Sequence, residues 1–207
     1  MKLILASSSP RRKEILEEAG YAFEVMEPMV DETLRMKLPP IDLVMKLALL
    51  KASAVFARLQ SAGAEKETVV VGADTIVCID GKNVGKPKDA EEARAMLRQL
   101  SGRLHRVYTG VALLSTERQE TFFEQSKVKF VPLSEETITR YVATGEPFGK
   151  AGGYAAQGRA RVFIESISGD FYSVVGLPVA ELSRRLSRDY GIPLFPATAA
   201  AAPRQAE

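Results

Sequence analysis

The sequence predicts an α/β architecture around a mixed β-sheet. Two observations carry that reading. Strands and helices alternate through the first half of the chain, and two segments near its middle, Arg103 to Leu114 and Glu120 to Val131, are long enough to pair as antiparallel strands. In order, Lys2 to Ala6 reads as a short buried strand bounded by serines. A helix follows to about Ala19, with Ser9 suited to its N-cap, Pro10 to its first position and Gly20 to its stop. Ala22 to Met26 is a second strand, and PMVDETLRMKLPP a polar loop. Ile41 to Gln60 is a long amphipathic helix whose Leu43, Leu47, Leu50, Ala54 and Ala57 share one face. Thr68 to Val77 is a β-branched strand, and Asp80-Gly81 signals a hairpin turn. Asp89 and Glu92 make a capping-box-like start for a helix to about Leu100. Beyond the paired middle strands, Glu135 to Thr144 is helical behind Ser134, Arg161 to Ile167 is a strand, and Val179 to Tyr190 is the last helix.

The chain has 207 residues, 46% of them hydrophobic and 26% charged, which suits one domain with a sizeable core. That domain is expected over residues 1–196, and the low-complexity stretch ATAAAAPRQAE, 197–207, is expected to be a disordered tail. A net charge of +2 and 7% aromatic content give neither a nucleic-acid footprint nor a stacking platform, so no nucleic-acid partner is expected. A local basic cluster could still meet a small anion. The lone Cys78 lies in an apolar run and reads as a small core residue, and the lone His105 has no cysteine nearby for a zinc site. No apolar run reaches the ~20 residues of a membrane span. The apolar stretch at the N-terminus is too short for a secretory signal, so a cytoplasmic protein without a membrane partner is expected. A homodimer is left open.

Several segments point to phosphate chemistry. In SSSPRR, Ser7 to Arg12, hydroxyls and backbone N–H groups gather at a helix start, where an anion binds readily. Arg11 and Arg12 there oppose the helix dipole, a conflict that a bound phosphate resolves; the plain alternative is a capped helix with two solvated arginines. In GADT, Gly72 to Thr75, an Asp inside a β-branched run must be paired, hydrogen-bonded or bound to metal. Asp74 is thus a candidate metal ligand or general base, or else a structural turn-capping residue. Lys51, at the edge of its helix's apolar face, and Lys86, in GKPKD, could each reach a polyphosphate; alone, each reads more simply as a snorkelling or solvated charge. The glycine-rich GEPFGKAGGYAAQG, Gly145 to Gly158, permits close backbone approach to a ligand. Its polar side chains of interest are Lys150 and Gln157, whose amide suits the edge of a base; a plain surface loop is the alternative. Asp31-Glu32, in the early loop, could join Asp74 in an oxygen-ligand site for Mg²⁺ or Mn²⁺, or be solvated charges.

Taken in order, LILASSSPRR, VDET, the Lys51 helix, GADTIV, GKPKD, LSGRLHRVYTGVAL, GEPFGKAGGYAAQG and YSVVGLP resemble the Maf family of nucleotide pyrophosphatases, over nearly the whole chain except the tail. The resemblance implies an α/β fold around an elongated mixed sheet flanked by helices, similar to that of the inosine triphosphatase enzymes. It implies cleavage of a nucleoside triphosphate between its α- and β-phosphates, with a housecleaning or division-linked role. Asp74 would then be the catalytic proton acceptor and a metal ligand, Glu32 the further metal ligand, and a divalent cation the cofactor. Ser8, Arg11, Arg12, Lys51 and Lys86 would bind the substrate's phosphates. Arg11, Thr75 and Gln157 match the residues that mark the branch acting on dTTP and UTP. Gly149 departs from that branch, which usually has an acid there. The alternatives are a 7-methyl-GTP-type pyrophosphatase or a non-catalytic, nucleotide-binding regulator of septum formation.

Overall fold

The computed structural model describes residues 1–30, 38–64, 66–193 and 195. Asp31, Glu32 and the 197–207 tail lie outside the described residues. Seven strands form one sheet: β1 (Lys2–Ala6), β2 (Phe23–Met26), β3 (Thr68–Ile79), β4 (Lys82–Val84), β5 (Leu104–Leu114), β6 (Gln119–Phe130) and β7 (Ile164–Ser168). Their order is β2-β1-β3-β5-β6-β7, with β4 added on β3. β1 is parallel to β2 and β3, and the other pairings are antiparallel, so the sheet is mixed as expected.

Among the described residues, six α-helices flank it: α1 (Pro10–Glu18), α2 (Pro40–Ser61), α3 (Ala90–Leu100), α4 (Glu135–Ala143), α5 (Phe171–Val175) and α6 (Val179–Tyr190). The period of 2 along β3 sorts them. Val70 and its neighbours Ile4, Ala6 and Ala112 pack on Ala48, Ala52, Val55 and Phe56 of α2. Val69, Val71 and Ala73 face the other way, onto Ile15 and Leu16 of α1 and Leu182 and Leu186 of α6. Further along that second face, Val77, Ile79, Val107 and Val128 pack on α3 and α4. Two glycines bring α2 unusually close. A Cβ at Gly72 would sit 2.3 Å from the Ala48 carbonyl oxygen, and one at Gly110 would sit 2.4 Å from the Val44 carbonyl carbon.

Local signals explain most boundaries. Asp80 and Gly81, at φ 52° and 72°, turn β3 into β4, the two positive φ values that a two-residue hairpin of this kind requires. The Asp89 carboxylate caps α3 by accepting the Glu92 N–H at 2.8 Å. The reciprocal bond of the expected capping box slips by one residue, because the Glu92 carboxylate accepts from Lys88 N–H. Ser9 starts α1 but makes no side-chain cap; instead Ser7 Oγ accepts the Ser9 N–H.

Two larger corrections concern the second half. The strand expected from Arg161 begins only at Ile164, after a 3₁₀ segment at Arg159–Phe163. The N–H groups of Arg159 and Ala160 go to the Glu146 carboxylate and that of Arg161 to the Gly158 carbonyl, so they do not join a strand ladder. The short helix α5 was not anticipated. It starts on Asp170, whose carboxylate accepts the Tyr172 N–H at 2.9 Å, and stops at Gly176 at φ 139°.

Candidate active site

The sheet itself opens a crevice. β1 accompanies β3 only as far as the Ala6–Gly72 pair, and β4 joins β3 only at Val77. Between these limits Ala73 to Ile76 have no strand neighbour on that side among the described residues. The gap lies just past the C-terminal end of β1, with α1 and α2 on opposite faces, where α/β sheets bind ligands. The Ser7–Arg12 turn leads out of β1 into it. The resulting cleft encloses about 260 Å³ and is lined by Ser7, Ser8, Arg11, Arg12, Lys51, Asp74, Thr75, Lys86, Lys150, Tyr154 and Gly176, among others.

Asp74 and Thr75 are consecutive on β3, so they leave the strand on opposite faces. Asp74 points to α2, where Lys51 Nζ meets its Oδ1 at 2.6 Å. Lys51 is 4% exposed and Asp74 8%, so this is a buried ion pair at the wall of the cleft. It corrects the reading of Lys51 as a snorkelling charge. The pair depends on the two glycines: Gly72 lies two residues from Asp74 on the same face, and Gly110 is the cross-strand partner of Asp74. Their missing side chains let α2 settle onto the sheet within reach of the carboxylate.

On the opposite face Arg12 is built in rather than solvated. Its Nε donates to the Gly176 carbonyl at 2.8 Å, Nη2 to Thr75 Oγ1 at 3.1 Å and Nη1 to Ser7 Oγ at 3.4 Å. Arg11 stands nearer the rim. Burial lowers its pKa while the Glu146 carboxylate pulls the other way. Burial and the Arg11 charge likewise lower that of Lys150, whose ammonium donates to the Glu146 carbonyl at 2.6 Å. The rim is therefore crowded with positive charge. No acidic residue occupies the first turn of α1 to complement its dipole.

The structure thus brings Ser8, Arg11, Arg12, Lys51, Asp74, Thr75 and Lys86 to one cleft. Gln157 is not part of its wall; its neighbour Ala156 is. The Gln157 Oε1 is buried with no hydrogen-bond partner among the described residues. Glu32 lies outside the described residues, and among those described no three of His, Cys, Asp and Glu gather as a metal centre. Cys78 is a buried core thiol, as expected. Sequence reasoning missed Thr109, Ser173 and Gly176, which support Thr75 and Arg12. It also missed the role of His105, which is buried beneath the cleft and bonds the Tyr154 hydroxyl at 2.8 Å. The one signal for Thr109 was a hydroxyl in an otherwise apolar stretch of strand, beside Gly110.

A family model described as Maf-like protein matches residues 2–189. A dTTP/UTP pyrophosphatase of Bacillus cytotoxicus is 54% identical over 187 residues, covering 90% of this chain and 95% of that one. Proteins of the same name from Bacillus mycoides and Bacillus cereus are 51% and 50% identical with the same coverage. Among solved structures, the Ham1 protein of Staphylococcus aureus aligns with a TM-score of 0.44 and 13% identity, covering 63% of this chain and 72% of that one, a likeness too slight to bear on the site.

Proposed function

The chain belongs to the Maf family, and from that premise we propose that it hydrolyses dTTP and UTP to the nucleoside monophosphate and pyrophosphate. One observation carries this reading: among the described residues, the cleft sets one carboxylate, Asp74, beside the positive side chains of Arg11, Arg12, Lys51, Lys86 and Lys150. That is the charge pattern of a site for a polyphosphate and one proton acceptor. In-line attack on a phosphoryl group asks chiefly for positioning and for compensation of spreading negative charge. The arginines, lysines and Ser8 supply these. Asp74 accepts a proton from the attacking water, and Lys51 at 2.6 Å holds its carboxylate in place.

The donors suit a hard divalent cation such as Mg²⁺ or Mn²⁺. Such ions need only one or two protein carboxylates when phosphate oxygens complete their shell. Asp74 is one carboxylate, and Glu32 is the second expected from the sequence. When bound, the cation would withdraw electron density from the phosphorus. Metal-stripped protein in excess EDTA is expected to release no pyrophosphate, with Mg²⁺ or Mn²⁺ restoring it; undiminished release in EDTA would contradict the assignment.

For base choice, the buried Gln157 Oε1 is an acceptor in need of a donor. Gln157 follows Ala156 of the cleft wall, so reading a base through it would require its amide to turn toward the cleft; thymine and uracil would then offer it an N3–H, whereas cytosine presents an acceptor at N3. The two substrates differ by one methyl, a small distinction for any pocket. We place the activity in the cytoplasm, on free nucleotides. The test is pyrophosphate release and kcat/KM across dTTP, UTP, CTP, ATP, GTP and 7-methyl-GTP. The expected order has dTTP and UTP first and CTP well behind. A purine preference would overturn the base assignment, and no hydrolysis of any of them would leave a nucleotide-binding regulator.

A further inference from the structure

Thr75 and Thr109 face each other as a registered pair across β3 and β5, with their hydroxyl oxygens 2.8 Å apart. The surroundings fix the direction of that bond. The Thr109 hydroxyl has one proton and gives it to the Ser173 carbonyl at 2.7 Å. Toward Thr75 it can therefore only accept, so the Thr75 hydroxyl spends its own proton on Thr109. Thr75 Oγ1 in turn accepts Arg12 Nη2 at 3.1 Å. The result is one directed chain, from guanidinium through two hydroxyls to a backbone carbonyl.

The root of the chain is rigid and dry. Thr109, Ser126 and Ser173 are all 0% exposed. Ser173 lies in α5, and Gly176, whose carbonyl holds Arg12 Nε at 2.8 Å, ends that helix. α5 is tied to β6 through Ser126 Oγ, which lies 2.9 Å from both Ser173 Oγ and the Asp170 carbonyl. Arg12 is thus gripped at Nε by the end of α5 and at Nη2 by a relay anchored in the middle of the same helix. A guanidinium held this way meets an anion without first losing side-chain freedom.

We propose that Thr109 is a positioning residue for Arg12, acting through Thr75. Thr75 then has no hydroxyl proton to offer a nucleotide, and it acts on substrate by orienting the guanidinium. This rests on the reading of the cleft as a triphosphate site. The relay fails if Thr109 cannot accept: the Thr75 proton turns elsewhere and the Arg12 fork loses one of its fixed ends.

The experiment compares wild type with Thr109→Val, Thr109→Ser, Thr75→Val and the double Val variant. Circular dichroism and Tm confirm folding. The readouts are the Kd for inorganic pyrophosphate by calorimetry, and KM and kcat for dTTP. Thr109→Val is expected to weaken pyrophosphate binding and raise KM by about five- to twentyfold, the scale of one lost buried hydrogen bond, with a smaller effect on kcat. Thr109→Ser should restore most of the loss, and the double variant should be no worse than the worse single one. Wild-type pyrophosphate affinity in a folded Thr109→Val protein would overturn the relay, as would failure of Ser to rescue or losses that multiply in the double variant. Should the Val variant not fold, Thr109→Ala takes its place under the same criteria. The affinity arm needs no turnover, so it judges the relay even if dTTP hydrolysis fails.

Discussion

Asp74 and Arg12 divide the chemistry between the two faces of one strand. Asp74 lies against α2 with a buried lysine at 2.6 Å, and Arg12 lies across the strand, where its acceptors include the Gly176 carbonyl, Thr75 Oγ1 and Ser7 Oγ. Each can be probed by a substitution that keeps shape and changes one property. Asp74→Asn keeps the volume and loses the base; kcat is expected to fall roughly 10²- to 10⁴-fold while circular dichroism stays native. Comparable turnover by the folded variant would remove Asp74 from the mechanism. Arg12→Lys keeps the charge and loses the fork, since one ammonium cannot reach both the Gly176 carbonyl and Thr75 Oγ1 in the planar geometry of a guanidinium. KM for dTTP should rise about tenfold, on the scale of one charge-assisted hydrogen bond. Arg188→Lys is the control, because the Arg188 side chain is solvent-exposed and pairs only with the adjacent Asp189 among the described contacts. Equal kinetics in the two variants would show that the charge alone suffices.

At the scale of elements, the placement of α2 decides whether Lys51 reaches Asp74. Gly110→Ala puts a methyl 2.4 Å from the Val44 carbonyl carbon, and Gly72→Ala one 2.3 Å from the Ala48 carbonyl oxygen. Both clashes are with helix backbone, so the helix must move. Overpacking of this kind costs about 1–3 kcal/mol or more. Each variant should lower the urea midpoint and also cut kcat, whereas a remote change such as Gly63→Ala should spare kcat. Lost stability with untouched kcat would separate α2 docking from catalysis. This dependence was hidden in the sequence, where Gly72 reads as part of a chemical motif and Gly110 as one more residue of the Arg103 to Leu114 strand. The alternation of β1, α1, β2, α2 and β3 was legible because periodicity and caps agree there. The region around Arg161 was misread because a distant carboxylate, Glu146, takes its N–H groups. α5 was invisible because five residues carry no period, and its existence depends on Asp170 and on contacts with β6. The charged members of the site could be read, since their cost demands a purpose. Thr109 could not, because a threonine in a strand is ordinary until its partner across the sheet is known.

Across the whole molecule, stability near neutral pH carries the mark of one buried base. His105 is 1% exposed on β5, packs edge-on against Phe130 and Tyr154, and bonds the Tyr154 hydroxyl. Burial pushes its pKa down to about 4, against 6.5 when unfolded. The folded protein therefore binds fewer protons than the unfolded chain between those limits, and stability rises with pH there. The contribution is complete above about pH 6.5 and is lost as the pH falls toward 4, amounting to about 3 kcal/mol at most. The carboxylates Glu146, Glu181 and Asp189, held below their ordinary values by hydrogen bonds that outweigh their burial, add loss only in the more acidic range where they protonate. Glu124, raised by burial, has the opposite sign, but it is the same in any His105 variant. The measurement is Tm at pH 5 and pH 7 for wild type and for His105→Gln, which keeps a polar partner for Tyr154 and cannot titrate. Wild type should lose several degrees on going to pH 5, since a chain of this size shifts about 2–4 °C per kcal/mol. The variant should lose much less, while His105 itself should leave KM unchanged over this interval, because in the folded protein it stays neutral until the pH nears 4. An identical acid slope in both proteins would mean that His105 does not carry the loss of stability between pH 7 and pH 5.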